Sequence, residues 1–182
     1  MNGAPDYIEP VVGWRTWTVA ESDQRLRLRS VMFEVFWAPG RPFDADCRNR
    51  PHPVRRLLHR RPEAHAPPGG SCTCGIYAAK AVVEAVRYVN SFGPRRRYVV
   101  HRVLGRVALW GAVREYTEGW RASRAYPVDV FVPTFGPLGS PGAEAVALEL
   151  GGYGVPVEIV ECEDIDDFVR SLPAGPELRA AA

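Results

Sequence analysis

Apolar and polar residues alternate through "VVGWRTWTV" (11–19), and "LRLRSVMFEVF" (26–36) starts with the same period before running apolar. A period of two puts one face on a core and the other in water, so both segments predict β-strands. The turn-rich "AESDQR" between them makes them an antiparallel pair. The pattern then dissolves. "WAPGRPFDADCRNRPHP" (37–53) is full of Pro, Gly and Asp, "VRRLLHRR" has room for two helical turns, and "RPEAHAPPGGSC" is loop again. A connection this long is unusual in a compact domain unless something organises it.

From Gly75 to Phe92 the period lengthens. Ile76, Ala79, Val82, Val83, Val86 and Val89 recur at helical spacing, Lys80, Glu84 and Arg87 lie off that stripe, and Asn90 with Gly93-Pro94 supplies a stop. Segments 97–116 and 120–127 are β-rich and predict a hairpin, with Gly105 and Gly111 at bulges or close approaches and Trp110 and Trp120 placed to pack across it. After Pro127 come a strand (128–133), a helix started by Ser140-Pro141 and closed by Gly151-Gly152, a strand (155–161), and a helix from Asp164 to about Leu172. This β-α-β-α order favours two neighbouring parallel strands.

The expected fold is therefore α+β. A mainly antiparallel, Trp-rich sheet with one central helix and a metal-ordered loop occupies residues 1–127, a β-α-β-α part packed on it occupies 128–173, and 174–182 is a flexible tail. The loop "TFGPLGSPG" (134–142) lacks the glycine spacing of a dinucleotide site.

Four cysteines in 182 residues are far too few for a stapled secreted scaffold, and two of them are separated by one residue in "SCTCG". In a tetrahedral zinc site thiolates and imidazoles converge on one ion. Cys72 and Cys74 supply two ligands, and Cys47 and His65, both in the otherwise unexplained loop, complete a set of three cysteines and one histidine. Gly75 allows a tight turn there, and a helix starting at that point would stabilise thiolate. His52 and His59 are alternatives to His65, but both sit among arginines that disfavour a nearby cation. The same set can hold an iron–sulfur cluster. Rival readings are a strained Cys72–Cys74 disulfide, or a Cys74 nucleophile with His65 or His101 as base. With three protein ligands and a water, Glu63 would be the nearby base. His101 and Cys162 fall in predicted strands and read as core.

Arginine outnumbers lysine 22 to 1, as in proteins of GC-rich genomes, so arginine runs need discounting. Even so, residues 48–106 carry 13 basic residues against Glu63 and Glu84, net +11, which leaves −9 elsewhere. That asymmetry either pairs internally or attracts an anionic partner, nucleic acid or an acidic protein surface. Arg55, Arg56, Arg60, Arg61, Arg95, Arg96 and Arg97 are the candidate contacts. No run approaches about 18 apolar residues, and the N-terminus lacks the basic-then-apolar layout of a signal peptide, so a cytoplasmic protein off the membrane is expected.

"GWRTW" (13–17), Cys47, "HAP" (65–67), "CTCGIYA" (72–78) and "GRVALWGAV…GWRASRAYP" (105–127) occur in that order. In this the chain resembles a family of uncharacterised bacterial and phage-associated proteins, and the resemblance implies no activity. The chain thus reads as a metal-stabilised binding or regulatory module rather than an enzyme. The alternatives are a small metal-dependent hydrolase or thiol enzyme at Cys72, Cys74 and His65, and a structural or phage-associated protein.

Overall fold

The alternating segments become long antiparallel strands. The computed structural model of the chain describes residues 9–47, 65–90, 99–135 and 139–173. In chain order the elements are β1 (Val11–Ser22), β2 (Arg25–Ser30), β3 (Phe43–Asp44), β4 (Ile76–Ala79), α1 (Val82–Asn90), β5 (Val99–Glu115), β6 (Gly119–Pro133), α2 (Gly139–Leu150), a 3-10 turn (Gly151–Tyr153), β7 (Val157–Val160) and α3 (Ile165–Ser171). No helix among the described residues is long and apolar enough to cross a membrane.

β1 and β2 form the expected hairpin through a two-residue loop, with both Asp23 and Gln24 at positive φ as a type I′ turn requires. β1 then pairs along its other edge with β5, and β5 pairs with β6. β4 is flanked by both outer strands: Ile76–Ala79 pairs with residues 119–122 of β6, and Ala79 meets Trp14 of β1. Strand pairing therefore runs β1–β5–β6–β4 and returns to β1. β3 and β7 add to the free length of β6, and β7 is parallel to it, in register from Val130↔Val157 to Pro133↔Val160. This is the parallel neighbour anticipated from the β-α-β-α order. β6 crosses residues 127 and 128 without interruption.

Apolar residues on one face of these strands, among them Trp17, Val19, Leu28, Val103, Val107 and Ala122, pack with Trp37 and with Ala143, Val146 and Leu150 of α2. Trp37 stacks on Phe43 at 4.8 Å and meets Trp17 edge-on at 5.5 Å. The opposite face gathers Trp14, Leu104, Phe131 and Val160 under Ala85 of α1 and Phe168 of α3. α3 starts where expected, with the Asp164 carboxylate accepting from the Asp167 N–H at 2.8 Å.

Two glycines predicted to be special are so. Gly111 has φ +73° at a register shift between Trp110 and Val113, and a Cβ on Gly105 would collide with the Asp129 carbonyl oxygen. Three details differ from expectation. The second strand ends at Ser30 instead of running to 36, with only an Arg29↔Phe36 bridge beyond. Trp110 lies opposite Arg124 and Trp120 opposite Glu115, so the two indoles are not cross-strand partners. The predicted helix from Gly75 is a strand followed by a shorter helix, since Ile76–Ala79 gains two sheet partners and α1 begins only at Val82.

Tyr153 joins the layers. Its hydroxyl accepts from the Leu28 N–H at 2.9 Å and donates to the Trp37 carbonyl at 2.6 Å, and burial pushes its phenol up to about 12. The unfolded phenol titrates near 10, so its contribution is complete below that pH and lost as pH rises from 10 towards 12. Unfolding free energy should fall by about 2–3 kcal/mol more over that range in the unaltered protein than in Tyr153→Phe, as measured by urea denaturation.

Candidate metal centre

Each ligand-bearing segment is tied to the sheet by a different device, and most of these devices lie on one stretch of β6. Cys47 follows β3, whose pairing Phe43↔Ala125 and Asp44↔Arg124 is extended by the Ala45 N–H donating to the Ser123 carbonyl at 2.8 Å. Cys72 and Cys74 precede β4, and between them and that strand lies Gly75 at φ +118°, a conformation that favours glycine. A Cβ there would lie 3.1 Å from Pro68 and 3.3 Å from Arg121. His65 is exposed and reaches the site beside Gly69.

These four residues converge. One ligand atom from each of Cys47, His65, Cys72 and Cys74 lies within 4.8 Å of all the others, so the cluster can hold a metal ion. Cys47 Sγ and Cys72 Sγ are 3.7 Å apart, and His65 Nε2 is 3.2 Å from Cys74 Sγ. With metal–sulfur bonds of ~2.3 Å, the corners of a tetrahedron are about 3.8 Å apart, so the thiol pair already spans one edge. A disulfide would need the sulfurs at about 2.05 Å, and all four cysteines are free thiols.

The surroundings set the charge state. Burial pushes the Cys74 thiol up from its ordinary value, the Gly69 N–H donated to its sulfur at 3.2 Å pulls it down, and the Cys72 and Cys47 thiols push it up again. Without a cation the Cys74 thiol therefore keeps its proton at neutral pH. A metal must therefore displace protons to bind. The same shift runs against a Cys74 nucleophile, which needs a depressed pKa. The helix start expected to favour thiolate lies at Val82, beyond β4, and does not act on Cys74.

His101, the other base considered, is buried in β5 with its Nε2–H donated to the Pro133 carbonyl at 2.8 Å, and burial lowers its pKa. It is a core residue. Cys162 donates to the Val160 carbonyl at 3.2 Å, far along the chain from the cluster. His52, His59, Glu63 and the arginines Arg55, Arg56, Arg60, Arg61, Arg95, Arg96 and Arg97 lie outside the described residues.

Sequence reasoning missed three residues. Arg121 donates to the carbonyl oxygens of Cys72 and Cys74, the latter at 3.2 Å, and Arg114 Nε donates to the Pro68 carbonyl at 2.9 Å. Only the strand register, which sets Arg114 opposite Arg121 and Arg121 opposite Tyr77, brings them to the cysteines. Gly69 is the third, because a Cβ there would lie 2.5 Å from the His65 ring.

No protein-family model matches this chain, and no curated protein or solved structure compared with it matches either.

Gly69→Ala should push the imidazole out of ligating position while leaving the sheet intact. Metal affinity is expected to drop by about tenfold or more with unchanged circular dichroism of the metal-free chain. Affinity equal to that of the unaltered protein would show that His65 is not a ligand.

Proposed function

We propose that the chain is a zinc-stabilised binding module and that the ion is structural. The convergence of three thiols and one imidazole within 4.8 Å carries this reading. A soft, mixed sulfur–nitrogen donor set in a tetrahedral arrangement suits zinc. Four protein ligands fill that coordination shell, whereas catalytic zinc keeps a place open for water or substrate. An iron–sulfur cluster spreads its ligands over several irons, and a set this close fits a single ion better.

The segment that would be ordered is poor in apolar side chains. "HAPPGGSCTC" (65–74) offers little to bury, so coordinate bonds stand in for a hydrophobic core there. The 48–106 stretch of the sequence carries a net charge of +11, which suits an anionic partner such as nucleic acid.

Elemental analysis of protein purified without added ions should find one zinc per chain and no iron or visible absorption. Cys74→Ser should lose the metal and about 4 kcal/mol or more of unfolding free energy. Reduced, folded protein that takes up no zinc would refute the proposal. Binding to mixed-sequence nucleic acid should weaken steeply as salt rises, and no binding at low salt would remove that partner.

A further inference from the structure

Two guanidinium groups end at the cysteine turn without, among the described residues, the carboxylate counter-ion that other arginines have. Arg106 is paired with Asp129, Arg124 with Asp44 and Arg29 with Glu34. Arg121, only 6% exposed, has a main-chain bond to each of Cys72 and Cys74 and lies 4.5 Å from the Tyr116 ring and 5.7 Å from the Tyr77 ring. Arg114, half-buried beside it, has the Pro68 carbonyl. Neither meets a carboxylate among the described residues. Carbonyl oxygens and ring faces supply only partial charge.

A guanidinium does not escape burial by losing its proton, because its pKa exceeds about 12. Its desolvation is costly unless a full negative charge lies close by. Three thiolates and a neutral imidazole around a divalent ion carry a net charge of −1, and the Cys72–Cys74 turn places that charge beside Arg121. The three thiol protons pass to solvent as the metal enters.

We infer that Arg121 and Arg114 are the counter-charge of the metal centre. They are positioning residues outside the coordination shell that favour an anionic three-thiolate complex, and Arg121 also holds the Cys72–Cys74 turn in ligating shape. The inference rests on the metal reading above and adds to it which complex the site prefers.

The test titrates the full, reduced, metal-free chain with Co²⁺, reads the cobalt–thiolate absorption band, and obtains zinc affinity by competition. Arg121→Gln and Arg114→Gln should each weaken binding by about 10–100-fold. Arg121→Lys and Arg114→Lys, which keep the charge, should recover most of that loss. Gln variants that bind as tightly as the unaltered chain, or Lys variants as weak as the Gln variants, would overturn the counter-charge. Arg114, being half-exposed, carries the test if Arg121→Gln does not fold. Failure of the unaltered chain to develop the cobalt band sinks the metal reading itself, and this inference with it.

Discussion

The arrangement turns on a four-residue strand held on both sides. β4 pairs along its whole length with β6 and touches β1 at Ala79, and it fits only because the flanking strands have glycine where Ala78 passes. A Cβ on Gly13 would come within 2.9 Å of the Ala78 Cβ, and one on Gly119 would strike the Ala78 carbonyl oxygen. The close backbone approach closes the pairing circuit of the sheet. It also determines where the chain leaves β4 at its start, which is the turn bearing Cys72 and Cys74.

β6 then acts as a ruler for the site. Residues 119–122 hold β4 and residues 124–125 hold β3, so the segments that deliver Cys74 and Cys47 hang from neighbouring positions of one strand. Bringing Cys47 to Cys72 closes a loop of 25 residues, whose entropic cost grows only slowly with length. The rigid sheet has already met most of that cost at both anchors. A metal bound by the four residues would then have only short tethers to order.

Much of this was legible in the chain. The alternation at 11–19, the β-α-β-α order after Pro127 and the choice of Cys47, His65, Cys72 and Cys74 all follow from residue types and spacing. Ile76–Ala79 did not, because four residues hold too little periodicity to separate strand from helix, and the valines that follow extend a helical stripe. Tertiary pairing decided the matter. Val83, placed on the expected apolar stripe, is 53% exposed as a result, while Ala85 is buried. Arg121 and Arg114 were invisible for a different reason. In a chain with 22 arginines, these two on alternating strands look like solvent-facing charges until the register sets them opposite one another.

The two faces of the sheet differ in what covers them. One face is covered by α2 and Tyr153, and the other by α1 and α3 over Trp14, Leu104 and Phe131. That second face continues towards Tyr77, Arg121 and Arg114, where no helix of the described residues lies and the covering segment is 65–74. Such a segment has almost no apolar area to exchange for its ordering, so hydrophobic burial alone leaves it unfavourable. On the zinc reading proposed here, thiolate–metal bonds would offset that cost without apolar side chains, and their negative charge would favour the guanidinium groups of Arg121 and Arg114 where a hydrophobic cover would penalise them. On that reading the sulfur ligands and the two arginines would be one solution to one packing problem.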